Sequence, residues 1–330
     1  MQDLSLFRLY STSLYPQFMR VWDTGGGLSG AGIWRAQSAA GEVCLRKWPT
    51  EHPTPERLTW IHAVLHHIQR KAVPIVPAPF PTCDGRTFVL HEGFLWELSP
   101  WMPGQAIETG KASVRQVSAA FAALAQFHRA AATFADFSPG SGAAPAVAQR
   151  LERIETWLHR GGVKRMEQAA ATCGSPLGEY APLFLGAFRR LAPHLEIELR
   201  NLHDTSVPLQ PCIRDIHDQH VLMIDDRVTG LIDFGAMRVD SVATDVARLL
   251  GTMAGDDAKL REAGLSAYQQ CRHLSDIELR LVAALDRANV VLTGPQWMEW
   301  LLVEQKSFQA MPAVVARLER IRHRLQKLAY

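Results

Sequence analysis

A change of pattern near residue 100 constrains this chain more than any other feature. Residues 1–100 read as strands with one helix. Residues 105–330 read as helices with one short strand pair, and the prolines and glycine of PWMPGQ (100–105) make a linker between the two parts. The pattern is that of an α+β chain in two unequal parts, and 330 residues suffice for about two domains, each with its own core.

In the first part, MRVWDTGGGLSGAGIWRAQ (19–37) carries apolar and aromatic residues on both sides of Gly25, Gly26, Gly27, Gly30 and Gly32. Two strands joined by a glycine-rich loop fit this best. EVCLRKWP (42–49) reads as the next strand, with Val43 and Leu45 on one face and Cys44 and Arg46 on the other. Thr54 is placed to cap a helix opening at Pro55, whose Leu58, Ile61, Leu65 and Ile68 recur at helical spacing. RTFVLHE (86–92) and FLWELS (94–99) supply two more strands.

The second part opens with a strong helix at 112–131, followed by a loop rich in small residues (138–146) and helices around 147–160 and 178–200. VLMI (221–224) and RVTGLI (227–232) flank Asp225-Asp226 and read as a tight hairpin; from Val242 onward the pattern is helical. The basic, amphipathic 314–330 segment reads as a packed helix with a solvated charged face.

Composition narrows the function classes. Lys plus Arg number 35 against 33 Asp plus Glu, and this balance of +2 argues against a dedicated nucleic-acid binder. Five scattered cysteines without a CxxC pair suit reduced thiols in a cytoplasmic protein. No run of about 18 apolar residues suggests a membrane span, and the acidic, weakly apolar start does not read as a signal peptide.

The chemistry concentrates in 212–251. Asp215 opens an irregular loop, His220 lies just before a strand, and Asp233 follows the hairpin with Phe234 and Gly235 behind it. Phosphoryl transfer from a nucleotide needs such a set: one carboxylate to take a proton from the attacking hydroxyl, and hard oxygen donors for magnesium. Here the sequence resembles the kinase-like small-molecule phosphotransferases, the group of aminoglycoside phosphotransferases, choline kinase and type II homoserine kinase. IRDIHDQHVL (213–222) resembles their catalytic loop, GLIDFGAMRVDSVATDVARLL (230–250) their metal-binding segment and following DxA helix start, ELSPWMPGQ (97–105) their hinge, and VCLRKWP (43–49) the strand with a phosphate-contacting basic residue.

The resemblance implies a protein-kinase-like bilobal fold, with a nucleotide-binding lobe at 1–99, a hinge near 98–104 and a helical lobe at 105–330. It implies Asp215 as catalytic base and Asp233 as magnesium ligand, with His220 standing where the family has a metal-binding Asn and Asp218 as an alternative support. Arg46, or Lys47 one register on, takes the phosphate-contacting position, and Asp245 braces the catalytic loop. Glu97, Leu98, Ser99 and Trp101 fall on the adenine-facing hinge, and Gly27 and Gly30 on the nucleotide lid. No partner for Arg46 is assigned; Glu56 and His62 lie on the relevant helix. The cofactors implied are ATP and Mg2+, and the partner a small molecule offering a hydroxyl group, with substrate and oligomeric state open. The competing reading is a nucleotide-binding protein of the same fold with little or no turnover. An aminoglycoside acceptor would require acidic residues such as Glu179, Glu196, Glu198 and Asp204 to converge.

Overall fold

Residues 32–47 alternate apolar and polar side chains about the turn at Ala39–Ala40, and the chain folds back on itself there as that alternation demands. In the computed structural model, which describes residues 4–21, 30–134, 140–173, 176–306 and 311–328, β1 (Pro16–Val21), β2 (Gly32–Ser38) and β3 (Gly41–Lys47) form an antiparallel meander. β4 (Val89–His91) and β5 (Phe94–Pro100) complete a five-stranded sheet in the order β1-β2-β3-β5-β4. Val43 and Leu45 are buried with Leu98, Leu6 and Phe7, while Cys44 and Arg46 line the opposite, concave face. The register of β3 on β5 sets Arg46 opposite Glu97 and Cys44 opposite Ser99. Lys47 is thereby turned away, its ammonium 3.4 Å above the Phe94 ring. Of the expected glycine lid, Gly25, Gly26 and Gly27 lie outside the described residues; Gly30 is exposed, with φ +70°.

Helix α1 (Pro55–Arg70) starts as its sequence requires: the Thr54 side chain accepts from the Arg57 N–H, and Leu58, Ile61, Leu65 and Ile68 are all buried. Arg57 also donates to the Met237 carbonyl, tying this helix to the C-terminal region.

Among the described residues eight α-helices follow: α2 (Val114–Ala131), α3 (Pro145–Ile154), α4 (Gly162–Thr172), α5 (Tyr180–His203), α6 (Ala243–Leu249), α7 (Ala258–Cys271), α8 (Asp276–Met298) and α9 (Met311–Leu328). Capping boxes Ser113–Gln116 and Ser275–Glu278 open α2 and α8. α2 packs on α7 and α8 on α5 and α6, around a core holding Phe121, Phe127, Phe184, Phe188 and Trp157. α9 lays Val314, Leu318 and Leu325 against this core, as its amphipathic pattern predicts.

The single strand pair expected in this region is too few. β9 (Val221–Ile224) and β10 (Arg227–Leu231) form the predicted hairpin, and β6 (Gln105–Ala106) adds to it as a third strand. A second three-stranded sheet joins β7 (Gly140–Gly142), β8 (Val207–Cys212) and β11 (Arg238–Asp240). These strands are short or carry glycine and proline, so they form by pairing with neighbours and not by local propensity. Gly104 turns the linker at φ +97°, where a Cβ would come within 2.6 Å of the Met223 carbonyl oxygen. Among the described residues, no helix is long and apolar enough to cross a membrane.

Candidate active site

The concave face of the sheet, the β6–β9 edge, the segment after β8 and helices α3, α8 and α9 enclose a cleft of about 1540 Å³. Pockets for one drug-sized ligand run to roughly 300–1,000 Å³, so this cleft has room for a nucleotide and a second molecule together.

On the sheet side, β3 delivers Arg46 and β10 delivers Asp233. The Arg46 guanidinium donates to Asp233 Oδ1 at 2.8 Å and lies 4.0 Å above the Trp48 ring. Asp233 is therefore the partner that sequence alone did not assign. Glu56 is exposed at the outer end of α1, and His62, further along, turns inward. The Glu97 carboxylate accepts from His62 Nε2 and from Trp48 Nε1, each at 2.8 Å, and His62 Nδ1 meets the Thr87 hydroxyl at 2.7 Å. With Nε2–H donating to the carboxylate, Nδ1 accepts from Thr87. Burial pushes the Glu97 carboxyl up, but its bond to His62, the charge of Arg46 and the Trp48 bond outweigh it and hold the group ionised. Burial disfavours the Arg46 charge, and Asp233 and Glu97 more than restore it.

On β5, the Glu97 side chain enters the cleft as this buried carboxylate. Leu98 belongs to the apolar core, and its carbonyl accepts from the Phe80 N–H at 2.7 Å. Ser99 and Trp101 line the cleft; the Trp101 N–H donates to the Glu42 carbonyl. Cys44 also lines it, but burial pushes its thiol up to about 12, so it is no nucleophile at neutral pH.

The opposite side rests on Asp245 at the start of α6. Its carboxylate accepts the backbone N–H groups of Ile213 and Arg214, both at 2.7 Å, and His128 Nε2 at 3.0 Å. His128 is itself fixed by the Tyr268 hydroxyl at 2.7 Å. The neighbouring grouping of His128, Cys212 and Asp245 is thus a satisfied hydrogen-bond network rather than a metal centre. Asp245 holds Arg214 at φ +71°, a conformation that a long side chain adopts only under restraint. The chain then presents Asp215 to the cleft, where Arg248 pairs with its Oδ1. Asp215 remains 42% exposed on its side chain, so one flank stays open to a ligand.

Asp233 also has a positive φ, +63°, and is pinned from behind: Phe234 stacks on Phe127 at 5.7 Å, and a Cβ on Gly235 would come within 2.8 Å of Trp48. His220 Nδ1 donates to the Asp215 carbonyl at 2.9 Å, leaving Nε2 3.6 Å from Asp233 Oδ2. Burial and the neighbouring His217 push the His220 pKa down to about 4, so at neutral pH Nε2 offers a lone pair to a carboxylate that also offers one. Two facing lone pairs without a proton between them fit a bound cation. Asp218 cannot substitute, because it turns to the Thr109 hydroxyl at 2.5 Å.

Five arginines on the helical side escaped sequence reasoning. Arg150 and Arg153 come from α3, Arg214 and Arg248 flank Asp215 and Asp245, and Arg317 comes from α9, whose charged face is therefore not wholly solvated. No local motif marks them; only their convergence does. The acidic residues that a polycationic acceptor would require do not converge. Glu196 pairs with His159 and Arg200, Glu198 with Arg287 and Asp204 with His203, and none of these lines the cleft, nor does Glu179.

No curated protein matches the chain by sequence. Solved structures do match in fold. An aminoglycoside phosphotransferase from Alicyclobacillus acidocaldarius subsp. acidocaldarius DSM 446 is 18% identical, with a TM-score of 0.59 over 99% of this chain and 97% of that one. Spectinomycin phosphotransferase in complex with ADP and spectinomycin is 12% identical, with a TM-score of 0.67 over 98% and 92%. Amicoumacin kinase in complex with AMP-PNP, Ca2+ and Ami is 12% identical, with a TM-score of 0.64 over 99% and 94%. The model of the phosphotransferase enzyme family, APH, matches residues 24–285. With that much of its length matched, and with the kinase-like fold on which the match depends, the chain belongs to the phosphotransferase enzyme family.

Proposed function

We propose that the protein transfers the terminal phosphoryl group of ATP to a hydroxyl group of a small molecule, with Asp215 as the base. The observation that carries this reading is the meeting of Asp215, His220, Asp233 and Arg46 in one cleft large enough for two ligands. Two of the similar structures hold nucleotides, ADP in one and AMP-PNP in the other, which supports the same use here.

Asp215 accepts the proton of the acceptor hydroxyl as its oxygen attacks the terminal phosphorus. The new P–O bond forms as the bond to the bridging oxygen breaks, and ADP leaves with that electron pair. Arg46 lies against the phosphates and Trp101 against the base. Asp233 and Nε2 of His220 would hold Mg2+, which offsets phosphate charge when bound. The Asp245 network fixes Asp215 before substrate arrives, so catalysis draws on positioning.

A second reading, nucleotide binding with little turnover, is favoured by the Arg248–Asp215 ion pair, which occupies one oxygen of the base. Calorimetry with ATP and a non-hydrolysable analogue, with and without Mg2+, tests the main reading. Magnesium-dependent binding that loses its metal dependence in Asp233→Asn is the expected result. Binding indifferent to Mg2+, with no turnover of any alcohol, supports the second reading. Absence of nucleotide binding overturns both.

A further inference from the structure

The charges of the cleft do not cancel. Its lining carboxylates are each engaged: Glu42 with Arg35, Glu97 with His62, Asp233 with Arg46 and Asp215 with Arg248. Arg214 is matched by buried Asp240. Among the described residues, Arg150, Arg153 and Arg317 have no ion-pair partner.

Arg150 is the most telling of the three. It donates to two neutral oxygens only, the Ala146 carbonyl at 3.1 Å and Asn289 Oδ1 at 2.7 Å. Burial, together with the charges of Arg214, Arg248 and Arg153, pushes its pKa down to about 9. Arg317 lies with its guanidinium 5.8 Å from the Trp297 ring centre; Arg248 and Arg320 repel it, while Asp215 and Asp218 are near enough to attract it. Arg153 donates to Gln296 and feels Glu299 and Glu304 at longer range. Two further donors in the same wall, Asn289 Nδ2 and Arg248 Nε, are buried without an acceptor.

A wall of unmatched cations and orphaned donors lacks only acceptors with negative charge. Burying such groups unpaired is unfavourable, and a bound anion removes that cost. These groups surround the side of the cleft on which Asp215 stands, apart from the Arg46–Asp233 pair.

We propose that the acceptor is an anionic alcohol, whose phosphate or carboxylate group is held by Arg150 and Arg317, with Asn289 as a further donor, while its hydroxyl faces Asp215. This rests on the phosphotransferase reading and names its substrate class. The product then carries one more phosphate than an already anionic substrate. Polycationic alcohols are repelled from the same wall.

The test is calorimetric titration of the ADP-saturated protein with inorganic phosphate and, separately, with acetate. At least one anion binds with ADP present, and binding weakens about tenfold or more in Arg150→Gln and in Arg317→Gln. Binding persists in Arg189→Gln, whose guanidinium pairs with Glu167 outside the cleft. Phosphate binding without acetate binding assigns a phosphorylated alcohol, and the reverse assigns a hydroxy acid. Should Arg150→Gln fail to fold, Arg317→Gln on the terminal helix carries the comparison.

Neither anion binding, or equal binding by wild type and both variants, overturns the proposal. So does displacement of phosphate by ADP, which would give the cluster to the nucleotide, and so does spectinomycin binding that the two variants leave unchanged. The ADP titration that precedes each run separates the two readings. ADP binding without anion binding sinks the substrate class alone. Anion binding to a protein that ignores ADP sinks the nucleotide reading alone.

Discussion

On the sheet side of the cleft Arg35 meets Glu42, Arg46 meets Asp233 and His62 meets Glu97, so charge is settled before any ligand arrives. On the helical side Arg150, Arg153 and Arg317 line the same cleft with no ion pair of their own; Arg150 and Arg153 bond to neutral oxygens and Arg317 lies beside the Trp297 ring. The first arrangement suits a ligand that brings its own counter-ion, as a metal-bound nucleotide does. The second suits a ligand that arrives as a bare anion. Asp215 stands where the two meet, and Arg248 couples it to the second.

The largest expected effect comes from that junction. On the proposed reading Asp215→Asn removes the proton acceptor, and turnover should fall by about 10²–10⁴-fold in a steady-state assay. Nucleotide affinity stays within about twofold. Because Arg248 then loses its partner, inorganic phosphate should bind the variant more tightly than wild type, which sharpens the contrast between the walls. Unchanged turnover would remove Asp215 from the mechanism.

Asp245→Ala attacks the scaffold of the helical side. It strands two backbone N–H groups and one imidazole N–H in a fully buried place. We expect a loss of about 3 kcal/mol or more in denaturant unfolding. A loss below about 1 kcal/mol would mean that the loop bearing Asp215 is held by other contacts.

Much of this was legible in sequence because it is local. The α1 start, the β3 faces and the Asp225-Asp226 hairpin follow from caps, alternation and turn chemistry within a few residues. The positions of Asp215 and Asp233 followed from spacing within a resemblance. The rest was not legible because it depends on residues distant in sequence. Arg46 and Asp233 are 187 positions apart, and only the β3–β5 register and the strained backbone at Asp233 bring them together. Arg317 sits in a basic amphipathic helix whose pattern gives no sign of which charge will turn inward. Leu98 shows what a linear motif leaves out: its side chain enters the core while those of Glu97 and Ser99 line the cleft, because a strand sends neighbours to opposite faces.

Glu97→Gln removes one of the three carboxylates that settle charge on the sheet side. The folded-state pKa of Glu97 lies below the ordinary 4.5, so its contribution is complete above that value and vanishes as pH falls through the lowered one. The variant should therefore be less stable at neutral pH, by about 1–3 kcal/mol. Its deficit should shrink as unfolding is measured from about pH 7 down towards about pH 3. A deficit constant with pH would show that hydrogen-bond geometry, not ionisation, gives Glu97 its importance.

The smallest effect tests the strand register itself. Lys47 and Arg46 are adjacent cations, and only one of them faces the cleft. Lys47 spends its charge on the Phe94 ring, a contact worth about 0.5–1 kcal/mol at an exposed site. Lys47→Ala should cost about that much stability and leave nucleotide affinity within about twofold. Arg46→Ala should weaken nucleotide binding about tenfold or more, because it removes a buried guanidinium and frees Asp233. Equal effects would mean that long-range charge attracts the phosphates and that the register on β5 is immaterial. The expected inequality ties affinity to one pairing, Arg46 opposite Glu97, and so to the alternation of apolar and polar residues that placed β3 in its sheet.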